Sequence, residues 1–263
     1  GGGAAQMSSQ FHVLTRDGFR YRVDANNVQP FGFNFFANNK GFRTAGGLPV
    51  YESVPLAGNL IQDPDDDDTV SDVTHKIFFN PPAADLPTSA ITPSGSTWLR
   101  LPAPFVPTAS NFRFVGVDGT PNQAGSALGG YFRFDSDGNG NYTVAIDLDD
   151  NGIYTDAIDR TLVGIAVVGP NEIFWDGRDG LGAPAPSTPA GIAARIQIQG
   201  GEVHFPYIDA ETNSTGIILE RLNGPSAPDY TVFFDDTALG GGAALPPTGT
   251  SSLTGAHAWG ANF

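Results

Sequence analysis

Apolar and polar residues alternate in short runs along most of the chain, and this period of two predicts β-strands. Four of the clearest runs are 19–23 (FRYRV), 130–134 (GYFRF), 142–146 (YTVAI) and 193–199 (AARIQIQ). Clusters of Gly, Pro, Asn and Asp end these runs at the spacing that is typical of a β-sandwich. No long segment has the period of an amphipathic helix. The pattern therefore predicts an all-β protein.

The composition favours the same fold class and narrows the choice of partners. The chain has 34 Gly, 21 Pro and 23 Asp, but only 5 Glu and 2 Lys. Asp prefers turns and caps, whereas Glu and Lys favour helices. The formal net charge is −15. Because phosphate binding needs a basic surface, we expect no nucleic acid and no anionic membrane as partner.

Cysteines and long apolar runs are both missing from the sequence. The absence of Cys excludes disulfides, thiolate metal sites and Cys nucleophiles. No run of about 18 apolar residues occurs, so we expect no membrane span.

Changes in composition and in the regularity of the apolar pattern along the chain predict two β-domains with extended ends. Residues 80–108 are rich in Pro, Ser, Thr and Ala, so we expect mostly irregular structure there and a boundary near residue 107. The predicted segments are a flexible or strand-exchanging lead over 1–10, a less regular β-domain over 11–107, a β-sandwich with Asp-rich loops over 108–242, and an extended tail or linker over 243–263. An alternative is that the strands of 201–236 pair back onto the first domain.

Two Asp-rich loops, 135–141 (DSDGNGN) and 147–152 (DLDDNG), match the opening of a calcium-binding loop, D-x-[DN]-x-[DN]-G. Alternate side chains converge on the ion, and the Gly allows a bend that brings in a backbone carbonyl. Ile146 and Ile158 stand where an EF-hand has its Glu, so neither loop is an EF-hand. The alternative is an ordinary hairpin turn that needs no metal. The predicted Ca²⁺ ligands are Asp147, Asp149, Asn151, Ile153 through its carbonyl, Asp156 and Asp159 in the second loop, and Asp135, Asp137 and Asn139 in the first.

Other polar clusters carry weaker signals. Glu202 and His204 alternate in one run, ahead of Asp209 and Glu211, and are the best candidates for acid–base chemistry. No catalytic motif accompanies them, so we expect a hydrogen-bonded structural cluster and no catalytic residues. The acidic run 63–68 (DPDDDD) predicts a solvated loop, with a cation site as the alternative.

The segment 245–249 (LPPTG) matches the sortase recognition pattern L-P-x-T-G. A true sorting signal continues into an apolar span and a basic tail, whereas this chain continues as TSSLTGAHAWGANF. A Pro-rich linker is therefore the favoured interpretation.

The order of motifs in 146–160 (IDLDDNGIYTDAIDR) and 175–186 (WDGRDGLGAPAP) resembles the Ig-like domain of the flagellar hook-capping protein and related "WDG" sandwiches of large bacterial surface proteins. Segments 78–100 and 201–224 are similar to modules of long adhesin-type proteins. The resemblance implies an Ig-like sandwich over 108–242 and a location at the bacterial cell surface. It implies no catalytic residues. At 190–194 (AGIAA) the hook-capping type has a Gly-x-Tyr turn instead, which affects the register of the last strand.

Together these observations predict an extracellular, non-enzymatic protein that is a subunit or module of a bacterial surface filament or large adhesin, with structural Ca²⁺. Its expected partners are copies of itself or neighbouring modules, and a host or glycan ligand. One alternative is a carbohydrate-binding module that uses Phe31, Phe33, Phe35 or Trp98, although aromatic runs of this kind usually form core. A further alternative is a Ca²⁺-dependent hydrolase centred on Glu202 and His204.

Overall fold

The computed structural model confirms that the protein is all-β. It describes residues 8–28, 35–52, 61, 63, 66–101, 103–123, 128–186, 191–208, 215–246 and 248–255. None of the helices in these ranges is long and apolar enough to cross a membrane. The described strands are β1 (Gln10–Leu14), β2 (Arg20–Asp24), β3 (Phe35–Asn38), β4 (Lys76–Phe78), β5 (Ser89–Thr92), β6 (Gly95–Trp98), β7 (Ala109–Gly116), β8 (Gly130–Ser136), β9 (Gly140–Asp147), β10 (Arg160–Ala166), β11 (Gly169–Trp175), β12 (Ala193–Gln199), β13 (His204–Ile208), β14 (Ile218–Arg221), β15 (Thr231–Val232), β16 (Phe234–Asp235), β17 (Ala243–Ala244) and β18 (Thr250–Ser251).

The chain divides into two compact units. The larger unit combines Gly1–Phe105 with Gly201–Phe263, and the inserted unit is Val106–Gly200. The predicted extent of the second domain, 108–242, is therefore wrong after residue 200. The reason is strand pairing, because β13 pairs with β3 and β14 pairs with β2. The alternative that 201–236 return to the first domain describes the fold.

The central sheet of the larger unit is antiparallel, with the strand order β14-β2-β1-β4. In the register of this sheet, Val13 lies opposite both Tyr21 and Ile77. The alternation in β2 places Tyr21 and Val23 in the core while Arg20 and Arg22 remain at least partly exposed. The buried core residues of this unit are Phe11, Val13, Phe19, Tyr21, Val23 and Ala37.

Phe19 is tightly enclosed because two glycines contact its ring. A Cβ on Gly201 would lie 2.6 Å from the Phe19 ring, and a Cβ on Gly224 would lie 2.7 Å from it. Both glycines have positive φ angles, which only glycine adopts without strain. The segments that contain Gly201 and Gly224 therefore pack against Phe19 at the end of the β1–β2 hairpin.

The C-terminal segment belongs to the larger unit, so the prediction of an extended tail over 243–263 is wrong for its described part. β17 pairs with β16, and β18 pairs with β15. Ser252 is 3% exposed, and its hydroxyl both accepts from the N–H of Leu219 and donates to its carbonyl. The lead is likewise ordered at its end, because the Ala25 N–H donates to the Ser9 carbonyl.

The Pro-rich stretch 80–108 contains a hairpin that the sequence did not predict. β5 pairs with β6, and Ile91 lies opposite Ser96. Ile91 is 86% exposed. Because the hairpin buries little apolar surface, its sequence lacks the alternation of apolar and polar residues that predicts a strand.

The inserted unit is a sandwich of two three-stranded antiparallel sheets, with the orders β11-β8-β7 and β10-β9-β12. Side chains from both sheets form one core. The Trp175 ring packs against Phe114 and Phe132, and its indole N–H donates to the Arg178 carbonyl at 2.9 Å. The buried residues of this core are Phe132, Phe134, Tyr142, Val144, Ile146, Leu148, Ala166, Trp175 and Ile198.

Candidate functional site

The main cluster of acidic side chains in the inserted unit lies in the connection between β9 and β10. It begins where β9 ends, at Asp147, which is 1% exposed. Ile146 and Leu148 on either side are also buried, so the hydrophobic core fixes the backbone from which the Asp147 side chain projects. Burial of a carboxylate is costly unless it is hydrogen-bonded or paired, so its contacts matter.

Asp147 holds the first half of the connection. Its carboxylate accepts the backbone N–H of Gly152 at 2.8 Å and that of Asn151 at 3.3 Å. The chain reverses tightly beneath it, with positive φ angles at Asp150 and Gly152. Although burial acts in the opposite direction, these backbone hydrogen bonds lower the pKa of Asp147. Asp147 is therefore ionised at neutral pH.

Asp159 closes the other half of the connection. Its carboxylate accepts the N–H of Leu148 at 3.0 Å and that of Asp156 at 2.9 Å. Pairing of Arg160 with Ile146 in the β9–β10 ladder places Asp159 beside Asp147. At 8% exposed, Asp159 is the second buried carboxylate of the cluster.

Asn151 links the outer carboxylates. Its Nδ2 donates to Asp156 at 2.7 Å and to Asp149 at 3.0 Å, while its Oδ1 accepts the N–H of Ile153. In this arrangement Asn151 presents hydrogens, rather than its oxygen, to the acidic side chains.

Three carboxylates converge at the centre of the connection. Asp147, Asp149 and Asp159 each place one oxygen within 4.8 Å of the others. The pKa of Asp149 is raised, first by loss of hydration and then by its contact with the Asp147 carboxylate and by the negative charges of Asp159 and Asp156. Carboxylates this close repel each other, and a hard cation with oxygen ligands relieves that repulsion.

The predicted ligands of the first loop form hydrogen bonds with residues outside that loop. Asp137 accepts the N–H and hydroxyl of Thr108, and Asp135 accepts from Asn111. Asn139 accepts the N–H of Val168. Asp135 and Asp137 thus bond to the first residues of β7 and the residue before it, and Asn139 bonds to the β10–β11 turn. The same motif serves here as a set of structural hydrogen bonds.

The polar pair of the larger unit is hydrogen-bonded as expected. His204 Nε2 lies 2.5 Å from the Glu202 carboxylate, and the Glu202 carbonyl lies 3.0 Å from His75 Nε2. Asp209 and Glu211 lie outside the described residues.

Trp98 forms contacts within the larger unit. Its indole N–H donates to Asp68, and Lys76 Nζ lies 4.9 Å from its ring centroid. The Asp68 carboxylate also accepts the Thr74 N–H, so the end of the acidic run 63–68 has a structural role. Phe31 and Phe33, and the side chain of Phe35, lie outside the described residues.

The segment 245–249 is a turn rather than a free linker in its described residues. The Gly249 N–H donates to the Leu245 carbonyl at 3.2 Å, in the connection between β17, which pairs with β16, and β18, which pairs with β15. A Cβ on Gly249 would lie 2.6 Å from the Phe233 ring, so this turn is packed against the larger unit.

Three polar residues of structural importance lie outside every motif of the sequence. Asn38 and His75 are buried in the larger unit, and Asp17 contacts backbone groups far away in the sequence. A lone Asp, Asn or His in a strand or turn is common, and the partners that give these three their roles are distant in sequence. No local pattern identifies them.

No protein-family model, no curated protein and no solved structure matches this chain.

Proposed function

We propose that this protein is an extracellular structural or adhesive module of a surface filament or large adhesin, and that Ca²⁺ stabilises its inserted unit. The observation that carries the proposal is the convergence of Asp147, Asp149 and Asp159 within 4.8 Å. The cation would be held by these carboxylates, with Asp156 at the rim of the site. The cation would neutralise the repulsion between these carboxylates and would have a structural rather than a catalytic role.

The kind of ligand favours Ca²⁺ over other metals. All the candidate ligands are oxygens, which suit hard cations, and the chain has no Cys for a thiolate site. Asp149 is exposed and belongs to a surface loop. Ca²⁺ accepts such flexible, irregular coordination, whereas Mg²⁺ requires near-octahedral geometry.

The partial exposure of the site supports a location outside the cell. Calcium sites of extracellular modules have dissociation constants of about 10⁻⁴–10⁻³ M. An ion held by three carboxylates at a loop surface belongs to that weak class. A net charge of −15 adds to the attraction for divalent cations.

The test is a thermal melt of the full chain with millimolar CaCl₂ and with EDTA. At one to ten times its Kd, an ion that binds only the folded state stabilises it by about 0.4–1.4 kcal/mol. For a unit of this size we expect Tm to rise by about 2–10 °C. The absence of any shift, or an equal shift with MgCl₂, would contradict the proposal.

Two matched variants separate the site from the rest of the fold. Asp149→Asn removes one converging carboxylate and leaves the backbone hydrogen bonds of Asp147 and Asp159 in place, so we expect the Ca²⁺-dependent shift to be largely lost. Asp137→Asn weakens the contact with Thr108, so Tm falls with and without Ca²⁺ while the shift remains. Loss of the Ca²⁺-dependent shift in both variants would argue against a cation site at Asp147, Asp149 and Asp159.

The assembly part of the proposal needs a separate observation. Electron microscopy of the native material is expected to show filaments or extended surface structures. Monodisperse particles with no self-association would reject the filament while leaving the calcium site untouched. No described contact favours a carbohydrate-binding function, because Trp98 is engaged by Asp68 and Lys76.

A further inference from the structure

One residue of the larger unit holds both points where the inserted unit joins it. The Phe105 N–H donates to the Asp17 carbonyl at 2.8 Å. The Gly201 N–H donates to the Asp17 carboxylate at 2.7 Å. Phe105 and Gly201 are the residues of the larger unit that flank the insertion. The chain therefore leaves and re-enters the larger unit at a common point.

Asp17 is itself fixed within the β1–β2 turn. The hydroxyl of Thr15, which is fully buried, donates to the Asp17 carboxylate and accepts the Phe19 N–H. A Cβ on Gly18 would lie 2.5 Å from the Ala103 carbonyl oxygen, so the segment before Phe105 also packs on this turn. We call Asp17, with its bonds to Phe105 and Gly201, the Asp17 clamp.

The two outer parts of the chain both belong to the larger unit. β1 near one end pairs with β2 and β4, and β18 near the other end pairs with β15. Tension applied through the chain ends must pass through these ladders. While the β2–β14 ladder and the Asp17 clamp are both closed, the two junctions stay together, and the load passes through the larger unit instead of residues 106–200.

We propose that the larger unit shields the inserted sandwich from tension through the Asp17 clamp. The inserted unit opens under load only after the larger unit has opened. Connectivity and hydrogen bonds produce this shielding, independently of the proposed calcium site and of filament formation.

The test is single-molecule extension of the full chain with handles at its two ends. At about 3.6 Å per residue, opening of the larger unit releases about 600 Å, and opening of 106–200 releases about 340 Å. We expect the step of about 340 Å always to follow opening of the larger unit. A step of this length that comes first would overturn the proposal.

A variant with a less stable inserted unit tests whether that unit opens second because it is shielded or only because it is mechanically stronger. Leu148→Ala removes a side chain that is 1% exposed in the core of the inserted unit, and Leu181→Ala, at a residue that is 72% exposed, is the matched control. A thermal melt verifies that only the first variant is weakened. The order of steps must stay the same in both, and reversal in Leu148→Ala would reject the shielding.

The clamp itself is tested by Asp17→Ala, with Asp85→Ala at an exposed position of the same unit as control. Opening under force follows the unfolding rate. Loss of a charged hydrogen bond is expected to accelerate opening of the larger unit about tenfold or more at equal force. Equal opening rates in the two variants would remove Asp17 from the proposal.

Discussion

At the scale of single residues, buried polar groups of the larger unit have an unusual balance of contacts. His75 is 5% exposed, its Nε2 bonds to the Glu202 carbonyl, and its Nδ1 has no partner among the described residues. Asn38 is fully buried, and its Nδ2 also lacks a described partner, although its Oδ1 accepts two backbone N–H groups. A buried imidazole with this arrangement is stable only in its neutral form.

This burial makes the stability of the larger unit depend on pH. Burial lowers the pKa of His75 to about 4, and the nearby charge of His204 acts in the same direction, while Asp68 and Glu202 oppose it. Between about pH 4 and 6.5 the unfolded chain takes up a proton that the folded chain does not. The contribution of His75 to stability should therefore be constant above pH 7 and fall by about 3 kcal/mol as the pH decreases through this window.

Urea unfolding of the wild type and of His75→Gln between pH 4 and 8 measures this effect. The variant cannot titrate at this position, so its stability is expected to fall less over the same window. Identical pH profiles for the two proteins would show that His75 does not contribute to the acid sensitivity.

At the scale of secondary-structure elements, strands with one buried face were predictable and the hairpin β5–β6 was not. β8 reads as alternation because Phe132 and Phe134 are buried between half-exposed residues. In β5–β6, Ile91 is exposed, so the sequence has no buried face to display. The pairing of β2 with β14 joins residues almost two hundred positions apart, and nothing local to either strand specifies it.

The candidate site shows the same limit. Spacing alone predicted that Asp147 and Asp149 project from one loop, and the β9–β10 ladder adds Asp159. The first loop has the same spacing, but its carboxylates bond to Thr108 and Asn111 of another segment. The spacing of a motif shows which side chains could meet at one ion. The neighbouring strands determine whether those side chains form hydrogen bonds elsewhere.

The C-terminal strand segment gives a prediction at this scale. Ser252 links β14 to the segment after β18 through both backbone groups of Leu219. Ser252→Ala leaves these half-buried backbone groups without their partner, which is expected to cost about 0.5–1.5 kcal/mol. Chemical denaturation measures the loss, with Ser94→Ala in the exposed β5–β6 turn as the control. Equal stabilities for the two variants would mean that the terminal segment adds nothing to the sheet.

At the scale of the whole molecule, each unit has its own core, and this predicts two unfolding transitions in calorimetry. Leu148→Ala should lower only the transition of the inserted unit, by about 2–5 kcal/mol. Ca²⁺ should raise that transition alone, and Ser252→Ala should lower only the other. If every change moved both transitions together, the units would unfold as one.

The insertion also sets the order in which the chain is completed during synthesis. β2 is made early, but its partner β14 follows almost two hundred residues later, about 10–40 s at about 5–20 residues per second. All strands of the inserted unit emerge in this interval. Until β14 arrives, β2 is an open sheet edge with unpaired backbone groups. A chain that stops before residue 218 therefore contains a complete sandwich and a three-stranded sheet whose β2 edge can pair with a strand of another chain.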